Sequence, residues 1–284
     1  MANTQSRNKV RLSGLDRIVA VIPYLVVTLL CLLILLPYLN VLALSLNDGK
    51  DAARGGVYFW PRVWALDNYR EVFRDGSIIR AYRITIARTL LGTLMSLAVT
   101  TLAAYALNQT ELPGRKFVIL AFTFTMLFGG GTIPTYIQYK DLGLLDTFWV
   151  YVIPPLVSVT YLIMVRAFFD SLPYGLQEAA KLDGCSNWRF LATIVIPLAR
   201  PALGALGAYV FLLQWNQYLW PLLVTNSDRV RTVQIGVSQM YDIDSESIAL
   251  MMSAVIVVLI PSLSIFVFMQ KQLINGLMAG AVKG

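Results

Sequence analysis

Six stretches of the chain are almost unbroken apolar runs: Ile18–Leu46, Ala81–Leu107, Phe117–Gln138, Phe148–Phe169, Pro201–Val224 and Ser247–Met269. Each is long enough to cross about 30 Å of hydrocarbon as a helix. Helix is the form required, because a segment in lipid must satisfy its own backbone hydrogen bonds. The pattern predicts an all-α integral membrane protein with six transmembrane helices. It divides the chain into a tail (1–17), a first span (18–46), a polar loop (47–80), a five-helix core (81–271) that includes a second polar loop (170–199), and a last tail (272–284).

Charge assigns the sides. With the N-terminus inside, the inner segments hold Arg7, Lys9, Arg11, Arg17, Arg115, Lys116, Arg166, Lys181, Arg189, Arg200, Lys271 and Lys283. The two short outer loops hold only Lys140, Arg229 and Arg231. Loop 47–80 mixes basic and acidic residues, and long mixed loops weigh little in topology. Both termini are expected in the cytoplasm. The basic N-terminus resembles the start of a signal peptide, but the following apolar run is far longer than the usual 7–15 residues or so. Within loop 47–80, Tyr58, Phe59, Trp60 and Trp64 suit the membrane interface.

Composition agrees. The chain is 57% hydrophobic and 14% charged, with a mean hydropathy of +0.64. A net charge of +7 fits inner-side Lys and Arg, with no need of nucleic acid as a partner. There is no histidine, which removes His-based metal sites, haem ligation and Ser-His or Cys-His catalysis. Cys31 and Cys185 lie at different depths, so no disulfide is expected. No span holds an interior Asp or Glu, the usual mark of ion coupling. No phosphate-binding glycine loop is present either. The chain is expected to be non-catalytic, and if it moves a solute uphill, the energy enters from a partner. An ion-coupled secondary carrier working alone is the alternative.

The loop 170–199 contains "QEAAKLDGCSNWRF", Gln177–Phe190. Ser171 is the expected N-cap of a helix through Leu182, with Pro173 in its first turn. Gly184 fits the left-handed residue that stops a helix. Ser186 caps a second helix containing Trp188, Phe190, Leu191 and Ile194, expected to end near Pro197. Ala179 and Ala180 give the first helix a thin face, while Glu178 and Asp183 offer charge. Glu178 can also pair with Lys181 along the helix. Local physics leaves open a docking helix or a helix lying on the membrane surface.

The run "EAAKLDGCSNWRFLATIVIPLARP" resembles the EAA motif of permease subunits in ATP-binding-cassette importers. Glu178, Ala179, Ala180, Asp183, Gly184, Phe190, Ile194 and Pro197 all fall in that pattern. "YALNQTELPGRK", "LFGGGTIPTYIQYKDLGLLDTFW" and the tail "GLMAGAVKG" resemble the MalG-like carbohydrate permeases, in their oligosaccharide and acidic-glycan subgroup. The resemblance implies a type I importer architecture in the bacterial cytoplasmic membrane. It implies a second permease subunit, two ATP-binding subunits that hold ATP and Mg, and an extracytoplasmic solute-binding protein. The chain itself then needs no cofactor. It also implies that Glu178, Ala179, Ala180, Lys181, Leu182, Asp183 and Gly184 form a cytoplasmic coupling helix docked on the ATPase. The substrate is then an oligosaccharide or polysaccharide, alginate and other uronates included.

Gln214, Asn216, Gln217, Tyr218 and Trp220 are polar or aromatic residues in span five that are expensive against lipid. On an unbroken helix Gln214, Gln217 and Tyr218 share one face, and Asn216 and Trp220 another. One face is expected to line the substrate path and the other to bond neighbouring helices. Gly129, Gly130, Gly131 and Pro134 predict a bent or broken third span. Arg83 and Arg88 are placed at the outer end of span two, either snorkelling or attracting an anionic glycan.

Overall fold

The computed structural model describes residues 14–74, 76–240 and 248–281. Arg7, Lys9, Arg11 and the last residues of the C-terminal tail lie outside them. The described residues are helical, and four helices are long and apolar enough to span a bilayer: Val21–Ser45, Ser77–Asn108, Asn187–Asn216 and Ile248–Lys271. Two bent pairs raise the number to six if each is one span.

In chain order the helices are α1 (Gly14–Ser45), α2 (Gly49–Ala53), α3 (Asp67–Arg74), α4 (Ser77–Asn108), α5 (Arg115–Leu127), α6 (Thr132–Asp141), α7 (Val159–Phe169), α8 (Tyr174–Leu182), α9 (Asn187–Phe190), α10 (Ile196–Asn216), α11 (Leu219–Val224), α12 (Val233–Met240) and α13 (Ile248–Ala281).

Three departures from the hydrophobic pattern have clear causes. The third stretch breaks at Gly129–Gly131, and α5 and α6 meet at 116°. The fourth is not one α-helix. It begins as two short 3₁₀ turns, Phe148–Tyr151 and Pro154–Leu156, and bends by 44° into α7. Pro154 and Pro155 remove two backbone donors there. Conversely, Pro197 does not end a helix. Leu191–Val195 forms a π turn in which the Ile196 N–H bonds to the Leu191 carbonyl, and the chain runs on through Pro197 as α10. The extra residue in that turn accommodates the missing proline donor.

The chain folds as two compact units. The first comprises residues up to Tyr69 together with Ser245–Ile256. Its organiser is Asn47, fully buried. The Asn47 Oδ1 accepts from the N–H groups of Arg62 (2.7 Å) and Val63 (2.9 Å), and its Nδ2 donates to Asp51 Oδ2 at 2.9 Å. Arg62 in turn pairs with Asp51 at 2.9 Å. Asp48 caps α2. Tyr58, Phe59, Trp60 and Trp64 stay exposed, the two tryptophans edge to face. The hydrogen bond from Asn47 lowers the Asp51 pKa, aided by Arg62 and Arg54. A lowered carboxylate stabilises at every pH above its ordinary range and loses that contribution only as pH falls through the lowered value.

The second unit holds Arg70–Asp244 and residues from Val257 onward. α4 is its axis, packed against α7, α10 and α12. The helix buries a stripe of small and hydroxyl residues, Thr85, Thr89, Gly92, Thr93, Ser96 and Thr100, at spacings of three and four. Small residues let backbones approach where lipid gives no hydrophobic drive between helices. At one end an apolar core joins Ala104, Leu107, Phe169, Ala180, Phe190 and Val195.

Asn47→Asp removes the donor to Asp51 and sets a like charge beside it. Amide exchange in residues 47–66 is expected to quicken by roughly tenfold or more, the scale of about 1–3 kcal/mol for a broken buried polar contact. Unchanged exchange would remove Asn47 as the organiser of this loop.

Candidate functional site

Two regions carry the residues singled out in the sequence. The first is α8 and its surroundings. Ser171 does not cap it, since its Oγ donates to the Phe168 carbonyl (2.6 Å) and Pro173 occupies the cap position. Pro173 serves there because it has no N–H to leave unpaired. At the other end Gly184 adopts φ +69°, and the N–H groups of Asp183, Gly184 and Cys185 bond to the carbonyls of Ala179, Lys181 and Ala180. Ser186 Oγ accepts from the Arg189 N–H at 3.4 Å, capping α9.

Ala180 points into the apolar core, while Glu178, Ala179, Lys181, Leu182, Asp183 and Gly184 are exposed. Leu182 is 89% exposed and Trp188 72%, so two large apolar side chains face outward beside the helix. Lys181 Nζ reaches Glu111, 3.0 Å away. One turn earlier, Gln177 Nε2 donates to Gln109 Oε1 at 2.6 Å. These two contacts tie α8 to the elbow between α4 and α5. Arg115 firms the elbow by donating to the Leu107 carbonyl at 2.7 Å. A cavity of about 210 Å³ lies behind α8, lined in part by Gln109, Arg115, Asp170 and Gln177.

The second region is a cavity of about 500 Å³ built where three apolar stretches lose regular helix. Its walls are Gly129–Gly131 with Thr132, Thr135 and Tyr139, then Val150, Tyr151, Pro154 and Pro155, then Gln217 and Trp220. None of these lining residues is charged. Tyr139 and Trp220 meet edge to face, 5.4 Å between ring centres. The Tyr151 hydroxyl donates to the Val230 carbonyl at 2.9 Å. Gly131 has φ +85°, ψ 174°, a conformation that only glycine adopts readily.

The five span-five residues part company here. α10 stops at Asn216, Gln217 is extended, and α11 starts at Leu219. The unbroken face pairing Gln214 with Gln217 therefore does not form. Gln214 is buried against Gly92 on α4. Asn216 Nδ2 donates back to the Leu212 carbonyl at 2.9 Å. Tyr218 is exposed and does not line the cavity. Gln217 and Trp220 are the two that reach it.

Arg88 is the residue sequence reasoning misplaced. It lies twelve positions into α4 and is 1% exposed, so it neither snorkels nor meets solvent at a span end. Its Nη2 donates to the carbonyls of Gln214 (2.7 Å) and Gln217 (3.3 Å). Its guanidinium stands 5.0 Å over the Tyr151 ring. Gln234 from α12 donates to the Trp215 carbonyl. The signal was available: an arginine this far inside a span must find partners there.

Near the cavity, Asp146 fastens two loops. Its Oδ1 accepts from the N–H groups of Asn226 (2.9 Å) and Ser227 (2.8 Å), which hold its carboxyl below the usual range.

The family described as "Binding-protein-dependent transport system inner membrane component" matches residues 12–277. The polygalacturonan/rhamnogalacturonan transport system permease protein YtcP of Bacillus subtilis (strain 168) is 29% identical over 95% of this chain and 99% of its own. Protein LplC of the same organism is 31% identical over 88% of this chain and 90% of its own. A chain of a bacterial ABC transporter involved in the import of the acidic polysaccharide alginate superposes with a TM-score of 0.85 at 25% identity, covering 91% of this chain and 98% of that one.

Gly131→Ala forces a side chain into a glycine-only conformation at a cost of about 1–3 kcal/mol, whereas Gly129 has no such backbone and open space around it. Thermal unfolding of the purified protein is expected to fall for Gly131→Ala and stay near wild type for Gly129→Ala. Equal midpoints would mean the break does not depend on Gly131.

Proposed function

The chain belongs to the family of binding-protein-dependent transport system inner membrane components, and from that premise we propose that it is a permease subunit of an ATP-driven importer for oligosaccharides or polysaccharides, uronate chains among them. The observation that carries the reading is likeness over almost the whole chain, to YtcP and to a chain of the alginate importer. Counting each bent pair as one span gives six, an even number that, with the positive-inside rule, supports a cytoplasmic side for both termini.

The cavity at the three helix breaks is the substrate path. About 500 Å³ falls within the usual range for ligand pockets, roughly 300–1,000 Å³. Rings of Tyr139, Tyr151 and Trp220 offer flat apolar surface to the C–H faces of a sugar. Gln217, Thr132 and Thr135 offer hydrogen bonds to hydroxyls. Such a wall takes sugar rings in passage and meets a uronate carboxylate with dipoles in place of a fixed charge.

Power enters at α8. Glu178 to Gly184 form the coupling helix, with Leu182 and Trp188 as the apolar contact for an ATPase subunit and Glu178 and Asp183 as charged contacts. Ala180 seats the helix on the core, and Gln177 and Lys181 pull on the α4–α5 elbow when the ATPases close. A second permease subunit, two ATP-binding subunits and an extracytoplasmic binding protein complete the assembly, and ATP and Mg are held by the partner ATPases. The ion-coupled alternative lacks an interior carboxylate in any span.

The test is the whole complex in proteoliposomes, with ATP-driven uptake of maltotetraose and tetragalacturonate measured in parallel. Uptake without ATP under an ion gradient would replace the reading with the alternative. Glu178→Lys and Leu182→Asp are expected to cut ATPase co-purification or substrate-stimulated hydrolysis by roughly tenfold, as loss of a central interface anchor does. Wild-type values would take the coupling role from α8. Cys185 is expected to react with an impermeant thiol reagent only from the cytoplasmic face; labelling from outside would invert the topology.

A further inference from the structure

We propose that Arg88 is a positioning residue for the transport path: it holds span five open at Gln217, so that Gln217 and Trp220 face the cavity. The inference rests on the cavity being the substrate path, but its geometry stands apart from that reading. α10 ends where it does because of Pro221. In a continued helix the Gln217 carbonyl would wait for the N–H of residue 221, which proline lacks, and the ring would press on that carbonyl. A break here frees carbonyls, and each one buried without a donor is costly.

Three of the carbonyls at the break are met by side chains from other helices. Arg88 takes those of Gln214 and Gln217, and Gln234 takes that of Trp215. A cation is also the favourable charge at a helix C-terminus. The same guanidinium lies over the Tyr151 ring, and Tyr151 is itself a wall of the cavity. One buried side chain thus fixes two walls, the extended Gln217 and the ring of Tyr151. The arrangement is specific to a planar fork of donors. A lysine ammonium can answer one carbonyl but has neither the reach of the fork nor its flat stacking face.

Without Arg88 the Gln214 carbonyl loses its donor, and the helical replacement is the N–H of Tyr218, four residues on. Taking it winds α10 forward and turns Gln217 away from the cavity.

The experiment uses the detergent-solubilised complex, with Cys31 and Cys185 replaced by serine and a single cysteine placed at Gln217 or, as a control across the cavity, at Thr135. Each is combined with Arg88→Met and Arg88→Lys, and the rate of reaction with a small maleimide is measured. Arg88→Met is expected to slow labelling at 217 by roughly tenfold or more, the scale of one lost charge-assisted hydrogen bond, and leave 135 within about twofold; Arg88→Lys falls between. No change at 217, or an equal change at both sites, overturns the proposal. If Arg88→Met yields no intact complex, Arg88→Lys alone decides by the same comparison. Labelling needs no sugar, so a failure here is separate from a failure of sugar uptake, which would count against the importer reading instead.

Discussion

A carbonyl freed inside hydrocarbon needs a donor, and the second unit of this protein is arranged around meeting that need. Pro221 stops α10 short, and Arg88 and Gln234 answer the carbonyls left behind. Arg88 reaches them because α4 presents small residues along the same face. Gly92 leaves room for Gln214, and Thr85 accepts from the Val233 N–H at 2.9 Å, holding α12 where Gln234 can act. The cavity exists because glycine, proline and side-chain donors let three apolar stretches depart from regular helix together. Without Arg88 and Gln234, the break at Gln217 would leave several kcal/mol of unsatisfied backbone.

α4 also connects the two regions of interest. Arg88 and the elbow contact at Gln109 are about 30 Å apart along it, at about 1.5 Å per residue. That is close to the thickness of the hydrocarbon core. A rigid helix of that length joins the α8 end to the cavity end without any relay of loops. The ion pair of Lys181 with Glu111 is exposed and worth little by itself. The Gln177–Gln109 bond and the packing of Ala180, Phe169 and Phe190 hold the contact together.

Much of the architecture was legible in the sequence. Apolar length marks where helix lies, and the glycines at 129–131 announced a bend. The Gly184 stop and the Ser186 cap were read from residue type alone, since both are local. What failed was non-local. Pro197 looked like a terminus because a π turn five residues long is invisible to a hydrophobic pattern. Pro154 and Pro155 were hidden inside a run that was apolar enough to pass as a helix. The wheel that joined Gln214 to Gln217 assumed an unbroken segment, although Pro221 four residues on already argued against it. Arg88 was set at a span end because its hydrogen-bond partners come from residues more than 120 positions away. No count of neighbouring charges reveals such partners.

The π turn at Leu191–Val195 sets the angular phase of everything after it. One residue more than an α-helix needs is stored there, so side chains of α9 and α10 stand about 100° out of step with a continuous winding. A homologue that lost that single residue would keep nearly the same length of span. It would present a rotated α10 to its neighbours, however, and Gln214 would no longer meet the gap above Gly92. Substitutions in this stretch and deletions in it are therefore different kinds of change: the first alters chemistry at one place, the second turns a whole rod about its axis.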